Sequence, residues 1–141
     1  MKVNQMRSLH KALVRWDDLD AMGHVNNAKY LTLAQEARFE WSFYSHVSKG
    51  EIPGILEMVV ARAEIDFIAP ILQGGFFVEV ELWVESIGNS SFVMGYEIKS
   101  GDTIYARIKS VQVGIDKESG KSRPLEASER AFLEKYLEVK S

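Results

Sequence analysis

Between Asn27 and Val47 the apolar residues Tyr30, Leu33, Ala34, Ala37, Trp41 and Tyr44 recur at three- and four-residue spacing, and Leu31, Phe39 and Phe43 add apolar surface on neighbouring faces. A helix that is apolar around so much of its circumference has to be wrapped by other structure, so the rest of the chain must curl around it. Its start is marked by Asn26 or Asn27, either of which can accept from the free backbone donors of a first turn. Lys49-Gly50 and Pro53-Gly54 end it.

The remaining segments read as sheet. Leu9 to Arg15 predicts a strand, and Trp16 to His24, with its Asp pairs and Gly23, predicts a loop. Odd positions Val59, Ala61, Ala63, Ile65, Phe67 and Ala69 are apolar against Arg62, Glu64 and Asp66, the period of a half-buried strand, and Pro70 stops it. Even positions Phe76 to Val84 alternate with glutamates, and Phe92, Met94, Tyr96 and Ile98 continue the pattern beyond Gly88-Asn89-Ser90, which predicts a hairpin. Ser100-Gly101-Asp102 turns the chain into Ile104 to Ile115. There the apolar phase moves from Ala106 and Ile108 to Val111, Val113 and Ile115, predicting a bulge or a change of buried face. After the polar link Asp116 to Pro124, Glu126 to Val139 carries Ala131, Phe132, Lys135 and Tyr136 at helical spacing. Consecutive long strands with tight turns imply an antiparallel sheet. The class predicted is α+β, one domain over residues 1–141, with a sheet wrapped around the long helix and a short C-terminal helix.

Several function classes are disfavoured by composition. Seventeen Lys and Arg are scattered among 20 Asp and Glu for a net charge of -3, so no basic stripe offers itself to a phosphate backbone and no nucleic-acid partner is expected. No apolar run approaches the roughly 20 residues that span a bilayer, so membrane insertion is not expected. The polar opening Met1 to Gln5 lacks a signal-peptide core, which with the absence of cysteine fits a cytoplasmic location. Without cysteine there are no disulfides, thiolate nucleophiles or sulfur ligands. His10, His24 and His46 are too far apart and too poorly accompanied to form a metal site, so no metal is expected. Nucleophile elbows, zinc-protease motifs and phosphate loops are missing.

Chemistry concentrates in the run from Arg15 to Leu31, which places Asp17, Asp18, Asp20 and His24 just before the helix. Unpaired N–H groups at a helix start form a preformed site for an oxygen that becomes negative, and a neighbouring carboxylate can act as nucleophile or base. A thioester suits so spare an apparatus, because its thiol leaving group, with a pKa of about 8.5, needs little help from an acid. The competing reading is that these aspartates are loop and cap residues.

The run Asp18-Leu19-Asp20-Ala21-Met22-Gly23-His24-Val25-Asn26-Asn27-Ala28-Lys29-Tyr30 resembles the D-x-D-x-x-G-H-V-N-N-x-x-Y motif of the 4-hydroxybenzoyl-CoA thioesterase-like family. The resemblance continues through Ile65 to Pro70, the Gly88 to Phe92 turn and Arg123-Pro124-Leu125. It implies a hot-dog fold, a five-stranded antiparallel sheet wrapped around the helix, assembled as a homodimer or homotetramer with sheets paired edge to edge and sites at the interface. It also implies an acyl-CoA thioesterase that needs no cofactor, CoA being part of the substrate.

By the same resemblance the catalytic carboxylate falls on Asp20 and the oxyanion donor on the backbone N–H of Asn27, whether Asp20 attacks the carbonyl or activates water. Asp18 stabilises the loop. Gly23 permits a tight backbone path, and His24 either orients Asp20 or water, packs the loop or faces solvent. Gly23, Tyr30, Ser90 and Ser91 are candidate substrate contacts, the two serines in a turn that in relatives can lie along the pantetheine arm. A second hot-dog lineage carries its carboxylate within the helix, so Glu36 competes with Asp20 and is read here as a surface residue. Arg62, Arg107, Lys109 and Lys121 could meet CoA phosphates or simply be solvated. Trp41, Phe43, Tyr44, Phe67 and Phe92 could line an acyl pocket or pack the core. The alternatives are an acyl-carrier-protein thioesterase, a non-catalytic acyl-thioester binder, and, by a differently placed His, a dehydratase.

Overall fold

The computed structural model describes residues 6–139, so the opening Met1 to Gln5 lies outside them. Strand β1 (Ser8–Val14) leads through a single 3-10 turn, Trp16–Asp18, to helix α1 (Asn27–Phe39). A widened segment, Glu40–Tyr44, continues the same axis into α2 (Ser45–Val47), with the Ser45 N–H reaching back to the Glu40 carbonyl. The expected helix from Asn27 to Val47 is therefore one rod with a π-type interruption. Asn26 is the cap, its Oδ1 accepting from the Ala28 N–H at 2.9 Å.

Strands β2 (Met58–Phe67), β3 (Phe76–Ile87), β4 (Ser91–Ser100) and β5 (Thr103–Gly114) and helix α3 (Ala127–Glu134) follow. The five strands form one antiparallel sheet in the order β1-β3-β4-β5-β2. Tyr30, Leu33, Ala34, Ala37 and Trp41 of the rod pack on Val80, Leu82, Met94, Tyr96 and Ile98, which is the expected sheet around a helix. Trp41 also stacks on Phe132, with ring centroids 4.7 Å apart, so the last segment covers the far half of the rod.

Three expectations change. Strand β2 is not half buried. It is one of the two edge strands of the sheet, with Val60 47% and Phe67 50% exposed. A bulge at Ala61, skipped in the pairing with β5, also breaks its odd-numbered face: Val60 pairs with Gln112 and Ile65 with Ile108, so Val60, Ala63, Ile65 and Phe67 face the helix side while Val59 does not. On β5 the buried face does not shift. Ala106, Ile108, Ser110 and Gln112 all point inward, and Val111 and Val113 point out, because the two polar residues are held by hydrogen bonds beneath the helix. In α3 the buried positions are Glu129 and Leu133 rather than Ala131 and Lys135, since a salt bridge draws Glu129 inward.

One glycine is set by packing. Gly95 sits opposite Trp83, and an added Cβ would come within 2.5 Å of the Trp83 ring. The guanidinium of Arg7 covers that ring at 4.0 Å, so a shift of the indole would also disturb this cation–π contact. Gly95→Ala is expected to destabilise the protein by about 1–3 kcal/mol, measured by urea denaturation.

Candidate active site

The loop before α1 is closed by its own backbone. The Asp20 N–H donates to the His24 carbonyl at 2.9 Å, the Gly23 N–H to the Asp20 carbonyl at 3.0 Å, and the Asn26 N–H to the Asp18 carbonyl at 2.8 Å. Gly23 takes a positive φ of 76° to make the turn, the conformation that a Cβ would strain. The Val25 N–H donates to Ile71 at 2.9 Å, which anchors the loop to the segment after β2.

Asp18 and Asp20 separate cleanly. The Asp18 carboxylate is buried and accepts from the Arg15 backbone at 2.8 Å and its guanidinium at 3.0 Å. Burial alone would push this carboxyl up, but the Arg15 hydrogen bonds and the charges of Arg15 and Lys29 hold it below the usual aspartate value. It is a structural clamp. Asp20 is exposed: its Oδ1 accepts from the Met22 N–H at 2.9 Å, and its other carboxylate oxygen has no partner among the described residues.

Asp20, His24, Asn27 and Tyr30 line one cleft of about 270 Å³ with Phe67 and Pro70. Asn27 is the first helical residue, so its N–H lacks an intrahelical acceptor and lies at the positive end of the rod. The exposed His24 side chain makes no hydrogen bond to Asp20 among the described residues. The two are joined through backbone only. Tyr30 is buried against Phe67, ring centroids 5.2 Å apart, and burial raises its phenol above the ordinary value, so it stays protonated and shapes the wall.

Other candidates lie elsewhere. Glu36 lines a separate cavity with Arg15, Asp18 and Glu40, on the β1 side of the helix. Ser90 and Ser91 sit in the β3–β4 turn, at the end of the sheet opposite Asp20, where Arg130 donates to the Gly88 carbonyl at 3.0 Å. A ten-residue strand at roughly 3.3 Å per residue separates the two ends by about 30 Å within one chain. Arg62, Arg107 and Lys109 pair with Glu64, Glu97 and Glu85 at 2.6, 3.0 and 3.3 Å, and Arg107 and Lys109 lie on the face away from the helix; Lys121 is exposed in the turn after β5. Of the aromatic set, Trp41 and Phe92 are buried, while Phe43, Tyr44 and Phe67 are substantially exposed.

Sequence reasoning missed a polar network of Arg38, Tyr96, Ser110 and Gln112 beneath the helix. Its signal was present as the break in apolar phase along β5. Among the described residues no cluster of three or more His, Asp or Glu is placed to hold a metal, and no helix is long and apolar enough to cross a membrane.

Solved structures share this architecture. A predicted thioesterase from Bacillus stearothermophilus aligns over 96% of this chain and 100% of its own, with a TM-score of 0.80 at 23% identity. A thioesterase from Thermus thermophilus, solved with coenzyme A and Zn, aligns over 89% and 90% with a TM-score of 0.73 at 29% identity. A 1,4-dihydroxy-2-naphthoyl-CoA thioesterase from Synechocystis aligns over 91% and 96% with a TM-score of 0.73 at 24% identity. No curated protein matches the chain. Fold and relatives together define the class, a thioester hydrolase of the hot-dog type. The chain belongs to the Thioesterase-like superfamily, whose sequence profile matches residues 14–133.

Proposed function

We propose that this protein hydrolyses an acyl-CoA thioester to the free acid and CoA, with Asp20 as the reacting carboxylate and the Asn27 N–H as the oxyanion donor. The observation that carries this reading is the cleft that Asp20 and Asn27 both line, the one with a carboxylate oxygen and the other with a helix-terminal N–H that have no partner among the described residues. In the general-base form, Asp20 takes a proton from water as its oxygen attacks the carbonyl carbon. The carbonyl oxygen becomes negative against Asn27, and collapse breaks the C–S bond to release thiolate. In the nucleophilic form the carboxylate oxygen makes that bond, and water then cleaves the anhydride. Gly23 shapes the turn and Tyr30 the wall. CoA as the carrier is supported by the coenzyme A bound to the Thermus relative and by the CoA ester in the Synechocystis relative's name.

The test is free-thiol release from short, long and aromatic acyl-CoAs, run beside the same acyl groups on acyl carrier protein. Release from CoA esters supports the reading. Release only from the protein-bound esters, or none at all, overturns it.

The working unit we propose is a two-fold dimer joined through β2. That strand presents a free edge ten residues long, and Val60, Ala63, Ile65 and Phe67 leave apolar surface on its helix side. Antiparallel pairing of β2 with itself has its two-fold axis normal to the sheet, so both helices fall on one side and Met58 of one protomer lies beside Phe67 of the other. The Asp20 cleft then lies beside the Met58 end of the partner's β2, and Ser90 and Ser91 approach a site they cannot reach within one chain. Light scattering is expected to give twice the 16.0 kDa chain mass, or four times if dimers pair. Ile65→Lys is expected to yield monomer without thiol release; a fully active monomer contradicts the dimer.

A further inference from the structure

Polar side chains are out of place on the helix-facing side of β5. Ser110 and Gln112 are 3% and 2% exposed where the alternation of Ala106 and Ile108 calls for apolar residues. They are tied together: Gln112 Nε2 donates to Ser110 Oγ at 2.9 Å, Ser110 Oγ lies 2.7 Å from the Tyr96 hydroxyl, and Arg38 Nη1 donates to that hydroxyl at 3.0 Å. Valine at both β5 positions would serve a plain core better, so the network holds something in place. What it holds is the guanidinium of Arg38. Among the described residues no carboxylate lies within 4.0 Å of it, and its Nε and Nη2 make no hydrogen bond.

This guanidinium lines a cavity of about 570 Å³ at the Met58 end of β2, with Gln112 beside it and walls that include Phe39, Phe43, Ile55 and Met58. Glu57, the one carboxylate of the lining, is half exposed and lies 3.8 Å from Lys117. A largely apolar chamber with one fork-shaped cation that no carboxylate approaches within 4.0 Å among the described residues matches a ligand that is apolar along its length and anionic at its tip. An apolar tip would strip water from Arg38 and return no acceptor, and a neutral acceptor would return weaker hydrogen bonds than a carboxylate.

We propose that this cavity receives the acyl group of the thioester held by the partner's Asp20 cleft, and that Arg38 selects acyl groups ending in a carboxylate. The proposal rests on the dimeric reading above, which brings the cavity and the cleft together.

Calorimetric titration with two CoA thioethers of equal chain length tests it, S-hexyl-CoA and S-(5-carboxypentyl)-CoA. Neither can be hydrolysed, so the result is independent of turnover. The wild type is expected to bind the carboxylate-tipped ligand about tenfold more tightly or better, against the ordinary preference of an apolar chamber. Arg38→Met is expected to abolish or reverse the preference. Arg38→Gln, which keeps a polar donor without the charge, is expected to do the same, and Arg38→Lys to retain part of it. Equal or tighter binding of the hexyl ligand by the wild type, binding of neither, or a preference that survives in Arg38→Met or Arg38→Gln overturns the proposal. Failure of the hydrolytic reading shows separately, as no thiol release from any ester.

Discussion

Asparagine in place of Asp20 is expected to cut thiol release from the best acyl-CoA by about a hundredfold to ten-thousandfold, the range that removal of a positioned acid or base produces, with no change in melting temperature. The substitution is almost isosteric. Asn keeps the Oδ1 that accepts the Met22 N–H at 2.9 Å, so the turn before the helix survives, but the amide can neither attack a carbonyl nor take a proton from water. The loss should fall on kcat, because nothing that positions the acyl chain has been removed. Asp20→Ala should behave the same way with a small extra loss of stability, the Met22 N–H being free to bond water at an exposed site. Glu36→Gln is the control. That carboxylate lines a different cavity, on the β1 side of α1, and its replacement is expected to leave turnover within about twofold. More than a tenth of wild-type turnover in Asp20→Asn would remove Asp20 from the reaction.

The largest stability effect is expected at Glu129, which no surface pattern marks as special. It is 1% exposed, and its two oxygens accept four hydrogen bonds: from Arg123 Nη1 and Nη2 at 2.7 and 3.1 Å, from the Leu56 N–H at 2.8 Å and from the Glu126 N–H at 2.9 Å. One carboxylate thus joins the start of α3 to the loop that leads into β2. Glu129→Ala leaves Arg123 and two backbone donors without their acceptor, and a loss of about 3–5 kcal/mol is expected, or roughly 10–20 °C in Tm.

The same group gives a pH dependence of fixed sign. Burial alone would raise its pKa, but Arg123 and the two backbone donors hold it below the ordinary glutamate value of 4.5. A carboxyl whose folded value lies below its unfolded one contributes stability that is complete above the unfolded value and is lost as pH falls through the folded one. Wild-type stability should therefore decline as pH falls below about 4.5, and Glu129→Gln, less stable at neutral pH, should show a shallower decline there. Parallel urea midpoints for the two proteins across that range check the sign; equal slopes would refute it.

Local pattern determined much of this protein. The three- and four-residue spacing from Tyr30 to Tyr44 required one long wrapped helix, the alternation from Phe76 to Ile98 required a hairpin, and Asn26 stood where a cap was needed. The loop carrying Asp18 and Asp20 was also legible, since turn and cap chemistry is written within a few residues. Only the tertiary structure decided which faces those elements cover. Alternation shows that β2 has two sides, but its exposure follows from its place at the sheet edge, and the bulge at Ala61 that exchanges Val59 for Val60 appears only in the register with β5. Ser110 and Gln112 read as a shift of phase because their partners, Tyr96 and through it Arg38, come from another strand and from the helix. Nothing in the local pattern marked Glu129, because the Leu56 N–H it binds lies 73 residues away. Burial of a polar group is decided by partners that meet only when the chain has folded, and spacing along the sequence carries no record of them.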